Sequence, residues 1–145
     1  MIRKCILQVE DEENDVLLLQ YAFDRAGIKH DLQVVTRGQE AMDYLSGAGR
    51  FADRRTYPLP DLVLLDLKLP DKHGLEVLGW MRAQPALKTT VVIALTSSNH
   101  EADVRRAYEL GINSYVVKAA DSRKRHEFVQ HLEGWWLGCN EFAER

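Results

Sequence analysis

Short apolar runs alternate along the chain with longer segments in which apolar residues recur every three or four positions. Five runs have the length and composition of strands: residues 5–9, 32–35, 62–65, 91–95 and 115–117. The continuous apolar run at 62–65 suits a strand that is buried on both faces, and 91–95 is also expected to be a buried strand. A segment of helical period follows each run, so the pattern predicts five strand–helix pairs in strict alternation. Such an alternation is typical of α/β proteins, in which helices cover both faces of a parallel sheet through right-handed crossovers.

The segments between the runs carry ordinary helix signals. Helices are predicted over residues 14–26 and 39–45, around Leu78 with an end at Pro85, from a capping box of Ser98 and Glu101 to Gly111, and from about Ser122 onward. Near the end of the last helix, Trp135 and Trp136 are predicted to be core residues.

Length and composition indicate one globular domain. The chain has 145 residues, which we divide into a domain at residues 1–138 and a short tail at 139–145. No apolar run is long enough for a membrane span and no signal peptide is apparent, so neither is expected. The net charge of −3 argues against non-specific binding to nucleic acid. Two cysteines without metal-ligand spacing favour a cytoplasmic location.

One irregular stretch interrupts the alternation, from Gly47 to Pro60. Its 14 residues show no core pattern, and a segment of that kind within a compact domain is often a functional or partner-facing loop. A tolerated surface insertion explains it equally well, so both interpretations stay open.

Polar side chains follow four of the five predicted strands. Glu10 and Asp11 come after the first strand, Asp66 after the third, Thr96 after the fourth and Lys118 after the fifth. Open α/β sheets bind ligands at the carboxyl ends of their strands, so we expect these groups to share one crevice. Three carboxylates there would repel one another unless a cation lay between them. A hard, oxygen-seeking ion such as Mg²⁺ is the natural partner.

The residues around these positions resemble the receiver domain of bacterial response regulators. The matching motifs are Val9-Glu10-Asp11, Leu64-Leu65-Asp66-Leu67 with Leu69-Pro70 and Gly74 behind it, Ala94-Leu95-Thr96-Ser97, and Tyr115-Val116-Val117-Lys118. They occur in the family's order over essentially the whole chain. The resemblance implies a flavodoxin-like, doubly wound (βα)5 fold whose five-stranded parallel sheet has the order 2-1-3-4-5.

The resemblance also implies a phosphorylation site. Asp66 would accept a phosphoryl group from a sensor histidine kinase. Asp11, Asp66 and the backbone carbonyl of Lys68 would hold Mg²⁺, with Glu10 acting through water. Such a protein belongs to a two-component system and is not an enzyme, except that it catalyses its own phosphotransfer and dephosphorylation.

A switch around the phosphoryl group is implied in the same way. Thr96 would form a hydrogen bond with the phosphoryl oxygens, and Lys118 would form an ion pair with them. Tyr115 matches the aromatic position that packs inward when Thr96 moves.

The chain departs from the family's pattern after Lys118, where the family usually has a proline joined by a cis peptide. Here Ala119 and Ala120 follow. A cis bond before a residue other than proline costs about 2.5 to 4 kcal/mol, so the Lys118–Ala119 bond is predicted to be trans.

Two features narrow the resemblance to small stand-alone regulators of bacterial phytochromes and related kinases. The stretch from Gly47 to Pro60 is longer than in chemotaxis-type receivers, and the length leaves no room for an output domain. A bacteriophytochrome is therefore a candidate partner.

The apolar residues near the end of the chain predict a homodimer. Trp135, Trp136, Leu137 and Phe142 offer more apolar surface than one short helix needs to cover its side of a sheet. The predicted interface is the face of the fourth helix, fifth strand and fifth helix, and two-fold pairing of identical chains is the commonest way to cover such a patch.

Two alternatives come from other functional classes. A pseudo-receiver would act as a docking module without phosphorylation, although the complete acid set argues against it. A flavodoxin-like flavin carrier would place its phosphate at residues 10–13, which are all acidic, where hydroxyl groups and glycines are needed.

Overall fold

The computed structural model describes residues 3–144 and confirms the predicted alternation. The strands are β1 Cys5–Val9, β2 Asp31–Val35, β3 Leu62–Leu65, β4 Val91–Thr96 and β5 Ser114–Val117. The helices are α1 Glu13–Arg25, α2 Gly38–Ser46, α3 Gly74–Ala83, α4 Glu101–Glu109 and α5 Ser122–His131. The strands form one parallel sheet in the predicted order, β2-β1-β3-β4-β5. None of these helices is long and apolar enough to cross a membrane.

Side-chain alternation along the strands separates the core into two layers. In β1, Leu7 and Val9 face the cluster that α2, α3 and α4 cover, whereas Ile6 belongs to the cluster under α1 and α5. Every residue of β1 and β3 is buried, which explains the unbroken apolar run of β3 and the run of β1, in which Gln8 is the only polar residue. The central strands are therefore held on both faces, and their carboxyl ends present a rigid edge.

The predicted capping box at α4 is wrong. The helix is preceded by His100, whose side chain makes no capping hydrogen bond. The Ser98 hydroxyl instead donates to the Asp103 carboxylate at 2.6 Å. Residues 97–100 lie outside the helix, so the spacing from Ser98 to Glu101 does not span a first turn.

The stretch from Gly47 to Pro60 contributes to the core, contrary to the expectation that it has no core pattern. It contains a short 3₁₀ helix, Gly49–Phe51, and the ring of Phe51 is buried beside Tyr44 at a centroid distance of 5.1 Å. Arg54 donates to the backbone carbonyl of Tyr44 at 2.7 Å. The stretch is thus fastened to α2 by packing and by hydrogen bonds.

The last helix changes its winding where the tryptophans begin. After α5 the chain continues as a π-helix, Leu132–Cys139. Within it Leu137 is buried, but Trp135 is 62% exposed, so the prediction of a core role for Trp135 is wrong. The wider turn of a π-helix shifts side chains away from the 3.6-residue period used to place them.

A buried histidine fixes this segment to the start of the sheet. The backbone N–H of Lys4 donates to Nδ1 of His30 at 2.9 Å, which leaves Nε2 to face the Glu133 carboxylate at 3.0 Å. The predicted domain boundary after residue 138 falls one residue before the end of the π-helix. Met1 and Arg145, which begin the predicted domain and end the predicted tail, lie outside the described residues.

Candidate functional site

The sheet places three of the predicted site residues by extending its hydrogen bonds one residue past the strands. The N–H of Glu10 donates to the carbonyl of Val35 at 3.0 Å, and the N–H of Asp66 donates to the carbonyl of Val9 at 3.0 Å. The N–H of Lys118 donates to the carbonyl of Thr96 at 2.8 Å. Residues far apart in the chain therefore stand side by side at one edge.

Three carboxylates meet at this edge in an arrangement that suits a metal ion. One oxygen from each of Glu10, Asp11 and Asp66 lies within 4.8 Å of the others. Glu10 and Asp66 are buried, whereas Asp11 is exposed and opens the group to solvent. Hard oxygen donors with an open side fit Mg²⁺, which prefers a few carboxylates and retains several waters.

Lys118 lies against the same carboxylates and supplies positive charge. Its ammonium contacts Oε1 of Glu10 at 2.5 Å and Oδ2 of Asp66 at 3.1 Å. A third carboxylate, that of Asp15 on α1, lies at 2.9 Å. Asp15 is not among the site residues predicted from the sequence, because an acid in the first turn of a helix is ordinarily a helix-dipole residue.

The pKa values of the two buried acids shift in opposite directions. Burial raises the pKa of Glu10 to about 7, against the opposing effect of the hydrogen bond to Lys118. Burial also acts to raise the pKa of Asp66, but hydrogen bonding with Glu10 and the charge of Lys118 outweigh it and lower that pKa. Without a metal, Glu10 is therefore partly protonated near neutral pH, whereas Asp66 is ionised.

The loop after Asp66 is tightly packed. The N–H of Lys68 donates to Oδ1 of Asp66 at 3.2 Å, and Gly74 begins α3 directly above the backbone. A Cβ at position 74 would lie 2.3 Å from the carbonyl oxygen of Asp66. Only glycine allows this approach, so the start of α3 fixes the loop that carries Asp66.

The predicted switch residues are connected through the β4–α4 loop. Thr96 is fully buried at the end of β4. Two residues later, the backbone carbonyl of Ser98 accepts a hydrogen bond from the Tyr115 hydroxyl at 2.9 Å. A shift of the loop that carries Thr96 would therefore act directly on Tyr115.

The chain after β5 follows an ordinary path. The structure contains no cis peptide among residues 3–144, so the Lys118–Ala119 bond is trans, as predicted. Lys118 therefore reaches the acids without the cis peptide bond that is usual in the family that the sequence resembles.

Comparisons with known proteins agree with this geometry. The family model of the response regulator receiver domain matches residues 6–130 of this chain. Response regulator Rcp1 of Synechocystis sp. is 39% identical over 134 residues, which cover 92% of this chain and 89% of that protein. The crystal structure of its Mn²⁺-bound form aligns with a TM-score of 0.86 and 37% identity, covering 97% of this chain and 99% of that one.

Two further solved structures are similar over nearly the full length. The phosphorylated cyanobacterial phytochrome response regulator RcpA has a TM-score of 0.91 at 36% identity, covering 99% of this chain and 100% of that one. Response regulator RPA3017, from red light signalling of R. palustris, has a TM-score of 0.92 at 35% identity, covering 98% and 99%. The predicted resemblance to phytochrome response regulators is confirmed.

Proposed function

The chain belongs to the response regulator receiver domain family, and we propose that it accepts a phosphoryl group on Asp66 from a sensor histidine kinase. The observation that carries this proposal is the placement of a buried, ionised Asp66 between an ammonium and two further carboxylates. That set offers a nucleophile, a cation site and a positive charge at one point, which phosphoryl transfer requires.

The transfer is a simple exchange of bonds at phosphorus. An oxygen of Asp66 attacks in line, an O–P bond forms, and the N–P bond of the kinase's phosphohistidine breaks with its electron pair going to the imidazole. Asp11, Asp66 and the Lys68 carbonyl would hold Mg²⁺, with Glu10 acting through water. When bound, the ion neutralises charge on the phosphoryl oxygens.

Two residues of this chain would stabilise the product, and a third would pass the change on. Lys118 would form an ion pair with the phosphoryl oxygens, and Thr96 would donate a hydrogen bond to them. Movement of Thr96 would carry the β4–α4 loop with it and alter the hydrogen bond between Tyr115 and the Ser98 carbonyl. A phosphorylation event at the sheet edge thereby changes an outer surface.

Intact mass spectrometry tests the acceptor. With acetyl phosphate and Mg²⁺ the mass should rise by one phosphate, about 80 Da, and Asp66→Asn should remain unmodified. Asp24→Asn, an exposed acid of α1, is the matched control and should label normally. Undiminished labelling of Asp66→Asn would overturn the assignment, and an unlabelled wild type would favour the docking-module alternative.

A phytochrome-type histidine kinase is the proposed donor. RcpA and Rcp1 share this chain's fold at 36% and 37% sequence identity, and RcpA is a cyanobacterial phytochrome response regulator. We propose no nucleic-acid partner. The cytoplasmic location remains a prediction. Phosphotransfer from a purified bacteriophytochrome, compared with a chemoreceptor-type kinase, measures this preference.

The proposed output is a homodimer built on α4, β5 and α5. Large apolar side chains are exposed at Tyr108 of α4 (52%), at Val117 of β5 (45%) and at Trp135 of the π-helix that continues α5 (62%). Leu137 is buried and Phe142 is half-buried in the monomer, so the patch is smaller than the sequence suggested. Exposed apolar side chains gathered on one face are typical of interaction sites.

Light scattering after size exclusion tests the dimer. The wild type at tens of micromolar should elute as a dimer, and Trp135→Glu should shift it to a monomer. Tyr21→Glu, which removes an aromatic ring that is equally exposed but lies on α1, should leave the dimer intact. A monomeric wild type with and without phosphodonor would assign the patch to another protein.

A further inference from the structure

The ammonium of Lys118 has all of its donors directed at carboxylates. An ammonium offers three N–H donors, and three acids surround this one: Glu10 at 2.5 Å, Asp15 at 2.9 Å and Asp66 at 3.1 Å. Glu10 and Asp66 belong to the group that can hold a metal, whereas Asp15 does not. Asp15 is therefore the partner that remains available to Lys118 when the other two acids turn to Mg²⁺ and phosphate.

Asp15 also comes from a different part of the molecule. It lies in the first turn of α1, 103 positions from Lys118 in the chain. The lysine itself is followed by Ala119 and Ala120, whose backbone carbonyls accept hydrogen bonds of 3.4 Å from Arg125. Small side chains and long hydrogen bonds restrain the loop weakly, so the carboxylate on α1 supplies a restraint that the loop does not.

We propose that Asp15 is a positioning residue that holds the Lys118 ammonium between α1 and Asp66, so that it can meet an incoming phosphoryl group. The inference rests on the proposed phosphorylation of Asp66. Asp15 touches neither the acceptor oxygen nor the predicted metal group, and it acts through the lysine alone.

A double-mutant cycle on the phosphorylation rate tests this role. At saturating Mg²⁺, Asp15→Asn should slow labelling by acetyl phosphate about fivefold, the scale of a partly exposed ion pair. In a Lys118→Met background the same substitution should slow it by less than about twofold, because the residue through which it acts is absent. The Mg²⁺ concentration that gives half the maximal rate should change by less than about twofold.

Glu13→Gln is the matched control for charge. Glu13 lies in the same first turn and is exposed, and it is not among the acids that contact Lys118. It should label at the wild-type rate. Equal slowing by Asp15→Asn and Glu13→Gln would mean a general charge effect and would overturn the proposal.

Urea unfolding without metal gives a second readout that does not depend on activity. Removing Asp15 also relieves repulsion among the acids, so the informative quantity is the difference between backgrounds. Asp15→Asn should lower the urea midpoint of unfolding more when Lys118 is present than in the Lys118→Met background. The two effects of Asp15→Asn on the unfolding equilibrium constant should differ about fivefold. Additive effects in both cycles would refute the role of Asp15, whereas an unlabelled wild type with intact coupling would refute only the proposed phosphorylation.

Discussion

Mg²⁺ binding should weaken steeply below neutral pH, because a proton on Glu10 competes with the metal. Burial raises the pKa of Glu10 to about 7 in the metal-free protein. A carboxyl group with that pKa is about 90% ionised near pH 8 and about 3% ionised near pH 5.5, so the apparent affinity should fall about 30-fold between them. Asp66 adds nothing over this range, because its pKa is lowered.

Isothermal titration calorimetry measures both parts of this prediction. Titrations in buffers of different ionisation enthalpy should show about half a proton released per Mg²⁺ at pH 7 and less at pH 8. Glu10→Gln should remove the pH dependence, and Glu12→Gln, an exposed neighbour, should retain it. An affinity that changes by less than about threefold between pH 5.5 and pH 8 would refute the reasoning.

The raised pKa of Glu10 also determines how the stability of the metal-free protein changes with pH. A raised pKa stabilises the fold at low pH, and that contribution is lost as the pH rises from the ordinary glutamate pKa of 4.5 through about 7. The shift is worth at most about 3 kcal/mol. The lowered pKa of Asp66 contributes fully above its unfolded value, so it does not change between pH 5 and pH 8. The metal-free protein should therefore lose stability over that range, and Glu10→Gln should lose less.

Three substitutions test the surroundings of the site. Gly74→Ala should cost about 1 to 3 kcal/mol of unfolding free energy because its Cβ would meet backbone at 2.3 Å, whereas Gly79→Ala, with its nearest neighbour at 3.9 Å, should gain about 0.5 to 1 kcal/mol; equal urea midpoints would contradict this. Arg82→Met should cost about 2 to 4 kcal/mol in the same assay, since the guanidinium donates at 2.9 to 3.3 Å to the carbonyls of Leu87 and Thr90 in the α3–β4 connection and of Gly111 in the α4–β5 turn. Asp11→Ala should abolish both Mg²⁺ binding and labelling while the circular dichroism spectrum stays native, and labelling at the wild-type rate would show that its role is wrong.

The sheet and the residues at its edge could be predicted because both depend on local order in the chain. A buried strand needs an unbroken apolar run, and the residue that follows it must stand at the strand's end whatever the helices do. Glu10, Asp66 and Lys118 are each the first residue after a strand, so their meeting required only the strand order.

Asp15 and Trp135 could not be predicted in the same way, because their surroundings depend on how helices pack. In sequence Asp15 is equivalent to Glu13, another acid in the first turn of α1, and the packing of α1 decides which of them reaches Lys118. Trp135 fits an apolar stripe if the helix keeps its 3.6-residue period. The π-helical winding of residues 132–139 breaks that period, so its exposure follows from a backbone change that the pattern does not encode.

The charges at the site show how it remains folded without its metal and still accepts one. Three carboxylates, those of Glu10, Asp15 and Asp66, contact a single lysine, and Asp11 lies beside Glu10 and Asp66. This surplus of negative charge would be costly in a partly buried place. The proton on Glu10 removes one charge and the three contacts of Lys118 offset another. In the mechanism we propose, a divalent ion would replace that proton and Lys118 would turn from two acids toward phosphate, while Asp15 would keep the ammonium in place. The proposed site would thus exchange a proton and hydrogen bonds for a metal and a phosphoryl group at the carboxyl ends of strands that are buried on both faces.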